Sequence, residues 1–130
     1  MTTSLKKLTP NLMVEDVNQT IDFYKTILGF EVLATVPETG QLNWAMLKQG
    51  DVEIQLQLRA SLTEELPVFK DKAIGGALTL YIGVEGVKEL YERLKDKVTL
   101  VQDMHTTFYG TQEFAIQDSN GFVLSFAESV

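Results

Sequence analysis

The chain has no cysteine, and its 130 residues include one histidine, one tryptophan and three prolines. Without cysteine there are no disulfides, thiolate metal sites or cysteine nucleophiles to consider. Basic residues are scarce: 11 Lys and Arg against 18 Asp and Glu leave a net charge of −7. No basic stripe is present to hold a phosphate backbone, so no nucleic-acid partner is expected. No apolar run reaches the roughly 18 residues that a membrane span requires. The first seven residues, Met1-Thr2-Thr3-Ser4-Leu5-Lys6-Lys7, lack the apolar stretch and small-residue cleavage site of a secretory leader. No membrane association and a cytoplasmic location are therefore expected. What is left is 45% apolar, the share of a folded domain that buries a core of ordinary size.

The chain does have an internal repeat. Val14-Glu15-Asp16-Val17 returns as Val84-Glu85-Gly86-Val87, a shift of 70 residues. The same shift carries Trp44-Ala45-Met46 onto Phe114-Ala115-Ile116, Gly40 onto Gly110, and Ile54-Gln55-Leu56 onto Leu124-Ser125-Phe126. Two copies are too few for a solenoid, which stacks at least about three units. They predict one domain, residues 1–130, built from two similar halves (5–58 and 75–128) joined by a linker over 59–74.

Each half has the same element order. Leu8 to Val14 alternates as a strand with Pro10 near its start. Asp16 followed by Gln19 forms a capping-box pattern, and Val17, Ile21, Tyr24 and Leu28 recur on one helical face. Gly29 then supplies a helix C-terminus. Strands are expected over Phe30–Val36, Leu42–Lys48 and Val52–Leu58, with turn chemistry at Pro37-Glu38-Thr39-Gly40. In the linker, a short helix around Leu62–Leu66 is expected to stop at Pro67. The second half repeats the order: a strand over Ala77–Val84, a helix carrying Val87, Leu90, Tyr91 and Leu94 on one face, then strands over Val98–Met104, Thr111–Ile116 and Phe122–Ala127. Asp118-Ser119-Asn120-Gly121 makes the last turn. The charged run from Glu85 to Lys97 is the solvated face of the second helix.

Two strand–helix–strand–strand–strand modules in one chain resemble the vicinal oxygen chelate superfamily, which includes glyoxalase I, extradiol dioxygenases, and the fosfomycin- and bleomycin-resistance proteins. The resemblance spans Leu8 to Glu128. It rests most on Val14-Glu15-Asp16-Val17, Phe23-Tyr24, Leu28-Gly29-Phe30, Tyr109-Gly110-Thr111-Gln112-Glu113-Phe114 and Asp118-Ser119-Asn120-Gly121. It is strongest toward the bleomycin-resistance and unassigned glyoxalase-like branches. It implies an α+β fold of paired βαβββ modules forming a curled mixed sheet around a cleft, assembled as a homodimer. The metal enzymes of this superfamily place His, Gln or Glu at positions that match Thr9, Gln55, Thr79 and Ser125 here. Two threonines and a serine are poor neutral donors for a transition metal. No metal and no cofactor are therefore expected.

Strand alternation puts Glu53, Gln55 and Gln57 on one face and Val52, Ile54, Leu56 and Leu58 on the other, where they pack beneath a helix. The polar faces nominate Asn11, Gln55, Gln57, Thr79, Tyr81 and Ser125 as groups lining a ligand cleft. Ile54, Leu56, Leu80, Leu124 and Phe126 are expected under the helices, with Gln55, Thr79, Ser125 and Tyr81 sharing one concavity. Trp44 is nominated for ligand stacking against the simpler reading of core packing, since buried aromatics usually belong to the core. Phe108 and Tyr109, at a hairpin tip, are nominated as the rim of the cleft. His105 and Glu53 are the available general bases, but no spacing gives either a partner; a histidine without a catalytic role is the more frequent case. The resulting expectation is metal-independent binding of a small organic molecule, as in the bleomycin-resistance branch. An acidic surface favours a cationic ligand. The alternative is a metal-dependent glyoxalase-like lyase or isomerase, or a dioxygenase.

Overall fold

A computed structural model of the chain describes residues 3–130. Its first module comprises β1 (Asn11–Val14), α1 (Val17–Leu28), β2 (Glu31–Val36), β3 (Trp44–Gln49) and β4 (Val52–Leu58). The linker carries α2 (Arg59–Glu65) and a 3₁₀ turn (Pro67–Phe69). The second module comprises β5 (Thr79–Gly83), α3 (Val87–Leu94), β6 (Thr99–Thr106), β7 (Thr111–Gln117) and β8 (Val123–Ser129). Each module is a four-stranded mixed sheet, ordered β1-β4-β3-β2 and β5-β8-β7-β6. The first strand pairs in parallel with the last, and the remaining pairs are antiparallel. The linker helix begins earlier than expected, directly at the end of β4.

The α1 helix forms for the reasons legible in the sequence. Asp16 caps it by accepting from the Gln19 amide at 3.0 Å, and Gly29 closes it at a φ of 73°. Val17, Thr20, Tyr24 and Leu28 form its buried stripe. The α3 helix lacks a capping side chain of its own. Gly86, at a φ of 84°, stands at its N-terminus, and the Glu128 carboxylate reaches from β8 to accept from the amides of Gly86 (3.1 Å) and Val87 (2.9 Å). Those two amide bonds hold the Glu128 carboxyl below its ordinary range.

The helix-facing sides of both sheets contribute to one core. Leu12, Val14, Ile54 and Leu56 from the first sheet join Phe114, Ile116, Leu124 and Phe126 from the second. Burial of each such side chain stabilises by roughly 1.5–3 kcal/mol. Among the described residues, two polar links cross between the modules: Tyr24 donates to Asp118 at 2.6 Å, and Asn120 donates to Thr20 at 2.9 Å. They tie α1 to the β7–β8 turn.

Strand pairing corrects one part of the repeat. Ala45 pairs with Leu56, and Phe114 pairs with Phe126. Leu56 and Phe126 are 70 residues apart, but Ala45 and Phe114 are 69 apart. The third strands are therefore offset by one from the rest of the repeat. The cause is loop length: four residues separate Lys48 from its partner Glu53, and five separate Gln117 from its partner Val123. The counterpart of Trp44 is thus Glu113, and Phe114 is a core residue matching Ala45. A one-residue slip moves a side chain to the opposite face of a sheet, so Trp44 and Phe114, taken as equivalents by the sequence repeat, lie on opposite faces. Gly40 and Gly110 do both occupy strand-joining turns with positive φ, 83° and 89°.

Candidate functional site

Alternation separates the faces as the strand pattern predicts. Ile54, Leu56, Leu124 and Phe126 are buried in the core, and Leu80 packs against it. Asn11, Gln55 and Gln57 lie on the opposite side of the first sheet; Thr79, Tyr81 and Ser125 lie on the opposite side of the second. Within each sheet these residues are brought together by pairing: Asn11 with Gln55, and Tyr81 with Ser125.

The polar face of the first module is filled and internally bonded. Trp44 donates through Nε1 to Gln55 at 3.2 Å. Asn11 donates to Gln57 at 2.8 Å, and Gln57 donates to Ser61 of α2 at 3.0 Å. Met13 and Gln57 are buried on this face. Trp44 therefore sits on the polar face, half-buried, and not in the core.

The polar face of the second module is open and centred on a residue that was not nominated. The Glu113 carboxylate accepts three hydroxyl hydrogen bonds on the same oxygen, Oε2: from Tyr81, from Tyr109 (3.0 Å) and from Thr111 (2.7 Å). Glu113 is only 6% exposed, while Tyr81 and Tyr109 are each 57% exposed. The carboxylate is thus shallow, covered by its own tyrosine partners. The Tyr81 bond, opposed by loss of solvent and helped by Thr111, Tyr109 and His105, holds the Glu113 carboxyl below its ordinary value. The same bond, followed by loss of solvent, pushes the Tyr81 hydroxyl up to about 12. Beside this group, Thr79 and Ser125 hydroxyls meet at 3.0 Å. His105 pairs across from Glu113, with Nδ1 set 2.9 Å from the Asp103 carbonyl oxygen. Phe108 is fully exposed and packs edge-on against Tyr109, with ring centroids 5.0 Å apart, at the β6–β7 turn.

Not all nominated groups meet. No hydrogen bond among the described residues joins the Trp44–Gln55–Gln57 group to the Thr79–Tyr81–Ser125 group. An apolar hollow of about 720 Å³ lies where β1, β5 and the linker approach one another, lined by Leu12, Leu62, Phe69, Ile74, Leu80 and Phe122. Asn11 and Thr79 border it, whereas Gln55, Tyr81 and Ser125 do not. Glu53 is engaged by Lys7, which keeps its carboxyl below the ordinary value.

Three of the places that match the metal enzymes' ligand positions are engaged by hydrogen bonds within the chain. Thr79 and Ser125 bond to each other, and Gln55 accepts from Trp44. Among the described residues, no group of three or more His, Cys, Asp or Glu could hold a metal ion. Glu113 escaped the sequence reading because the uniform shift of 70 placed Trp44 opposite Phe114. The signal was present in Tyr109-Gly110-Thr111-Gln112-Glu113: on a strand, Thr111 and Glu113 share a face.

Comparison with known proteins agrees with the architecture. Among solved structures, TioX from Micromonospora sp. ML1 is similar at 17% identity, over 96% of this chain and 99% of that one, with a TM-score of 0.76. A glyoxalase/bleomycin resistance protein/dioxygenase from Nocardioides is similar at 17% identity, over 99% and 87%, with a TM-score of 0.78. The bleomycin-binding protein from bleomycin-producing Streptomyces verticillus, solved with copper(II)-bleomycin, is similar at 20% identity, over 99% and 100%, with a TM-score of 0.66. At these identities the likeness is one of fold. No curated protein matches the chain. The model of one family matches residues 6–126, nearly the whole chain, and places it by sequence as well as by fold: the chain belongs to the Glyoxalase/Bleomycin resistance protein/Dioxygenase superfamily.

Proposed function

We propose that this protein binds a small organic molecule without the help of a metal, and that the ligand lies on the polar face of the second module. The observation that carries this reading is the open hydroxyl–carboxylate array of Thr79, Tyr81, Tyr109, Glu113 and Ser125, which is already ordered by its own hydrogen bonds. Pre-ordered polar groups cost little further entropy on binding. The array contains no activated nucleophile and no carboxyl raised toward neutrality, the usual marks of acid–base or covalent chemistry. A protein of this fold from Streptomyces verticillus binds copper(II)-bleomycin, which makes bleomycin the first probe. We further propose a symmetric homodimer. β1 and β5 stand at the edges of their sheets, and a second copy packed along those edges would wall each polar face into a cleft.

The test is thermal unfolding of chelator-treated protein in the presence of bleomycin and a library of aromatic amides and amines, with light scattering to give the oligomeric state. A ligand at a hundredfold excess over its Kd stabilises by about 2.7 kcal/mol, which for a chain of this length is a rise of about 10 °C. Tyr81→Ala is expected to weaken binding while leaving the fold intact. Binding or turnover that appears only with about one zinc, nickel, iron or manganese per chain, and is lost in Gln55→Ala, overturns the reading.

A further inference from the structure

The two modules present the same backbone scaffold with opposite contents, and that contrast points to the class of ligand. In the first module the row Met13–Gln57–Trp44 runs across the polar face. Its structural counterpart in the second module is Gly83–Ala127–Glu113. A thioether, an amide and an indole are thus replaced by no side chain, a methyl group and a carboxylate. One face is filled by its own residues. The other is low along the same row and ends in a negative charge.

That charge is arranged on one side only. All three hydroxyl donors, from Tyr81, Tyr109 and Thr111, bond to Oε2 of Glu113. Oε1 takes no hydrogen bond from the described residues, and it is not a fully enclosed atom, so part of its surface meets solvent. The ion pairs among the described residues are Lys7–Glu53, Arg59–Glu15 and Lys95–Glu92, and none of them includes Glu113. Three hydroxyls and, across the strand pair, His105 stabilise this carboxylate, but among the described residues no Lys or Arg forms an ion pair with it; a largely shielded carboxylate gains further from a cation seated against it. Two of its donors are the tyrosines Tyr81 and Tyr109, and Phe108 packs edge-on against Tyr109; all three rings are half to fully exposed. Aromatic rings beside a carboxylate are the surroundings that favour an organic cation, since the ring faces carry negative charge density. The hydroxyl bonds also argue against the rival role of general base. They stabilise the ionised form and so weaken its pull on a proton.

Resting on the small-molecule reading above, we infer that the ligand of this site carries a positively charged nitrogen, an ammonium, guanidinium or amidinium on an aromatic or hydrophobic body, and that this nitrogen seats against Oε1 of Glu113 between Tyr81 and Tyr109. Trp44, the counterpart of Glu113 in the first module, carries no charge and cannot play this part there.

The experiment is an NMR titration of isotope-labelled, chelator-treated protein with benzyltrimethylammonium and benzamidine, set against their neutral relatives benzyl alcohol and benzamide. The expected result is that the cations shift the amides of Tyr81, Tyr109 and Glu113 and bind at least about tenfold more tightly than the neutral compounds, the usual size of a charge-assisted contact. The preference weakens as salt is raised. It is lost in Glu113→Gln, which keeps the shape and an acceptor oxygen, and persists in Glu64→Gln, which removes an equal charge from the exposed linker helix. Neutral compounds binding this face as tightly as the cations overturn the inference and leave the small-molecule reading standing. No shift with any of the four compounds, together with no stabilisation by any compound of the wider library, overturns both. Because the cation-versus-neutral comparison is made on the wild-type chain, it decides the matter even if Glu113→Gln does not fold.

Discussion

The hydrogen bond from Tyr24 to Asp118 offers a measurable test of how the two modules hold together. Tyr24 is fully buried, Asp118 is 6% exposed, and the Oη–Oδ2 distance is 2.6 Å. In Tyr24→Phe the ring stays. Its edge-on contacts with Phe23 and Phe30, at centroid distances of 5.5 and 5.4 Å, are preserved, so the apolar burial hardly changes. What is lost is one hydrogen bond to a carboxylate, which contributes about 1.5–3 kcal/mol net. The other Asp118 oxygen keeps its bonds to the amides of Asn120 (2.8 Å) and Phe122 (2.9 Å), so the turn itself survives. The cost then falls at about 2 kcal/mol, or about 7 °C in Tm for a chain of this length. Urea unfolding followed by circular dichroism should show a lower midpoint with an unchanged slope. Since the two modules still share one core, unfolding should stay a single transition. A double-mutant cycle with Asp118→Asn should return a coupling of at least about 1 kcal/mol. A loss below about 0.5 kcal/mol, or two strictly additive substitutions, would refute the claim that this pair links the halves.

Two further outcomes follow from the geometry. Gly75 has a φ of 86°, and a Cβ there would lie 2.7 Å from the Asn120 carbonyl oxygen. Gly75→Ala should therefore cost well over the roughly 1 kcal/mol expected from backbone strain alone, which Gly40→Ala, at a φ of 83° in open space, should show by itself; equal losses in a denaturation series would contradict this. Tyr81 is held neutral by Glu113, so its contribution to stability is complete below its ordinary value of 10.0 and fades as pH rises through about 12. Tyrosinate absorbance should show this late titration in the folded protein, and Glu113→Gln should move it back toward the ordinary value. On the acid side the sign reverses. Glu113 is held below its ordinary value of 4.5, so its contribution is present above that pH and is lost as pH falls through the lowered value.

Much of the fold was written in local pattern. The Asp16 cap, the Gly29 stop and the alternation along Ile54-Gln55-Leu56 and Leu124-Ser125-Phe126 depend on contacts within a few residues, or on a two-residue period that burial enforces. These determined the helices, the strands and which face of each strand meets the core. The repeat determined that there are two modules, and with them the superfamily. Only the tertiary structure decided the register between the modules. A fifth residue in the β7–β8 loop shifts the third strand by one position, and a one-residue shift exchanges the faces. It moved Phe114 into the core, put Trp44 on the polar face and placed Glu113 where the repeat had put Phe114. The meeting of Glu113 with Tyr81, 32 residues away in sequence, depends on β7 and β5 both flanking β8. The bond from Tyr24 to Asp118 spans 94 residues and exists only because the two sheets share a core. No local spacing encodes such pairs, because what brings them together is the packing of elements.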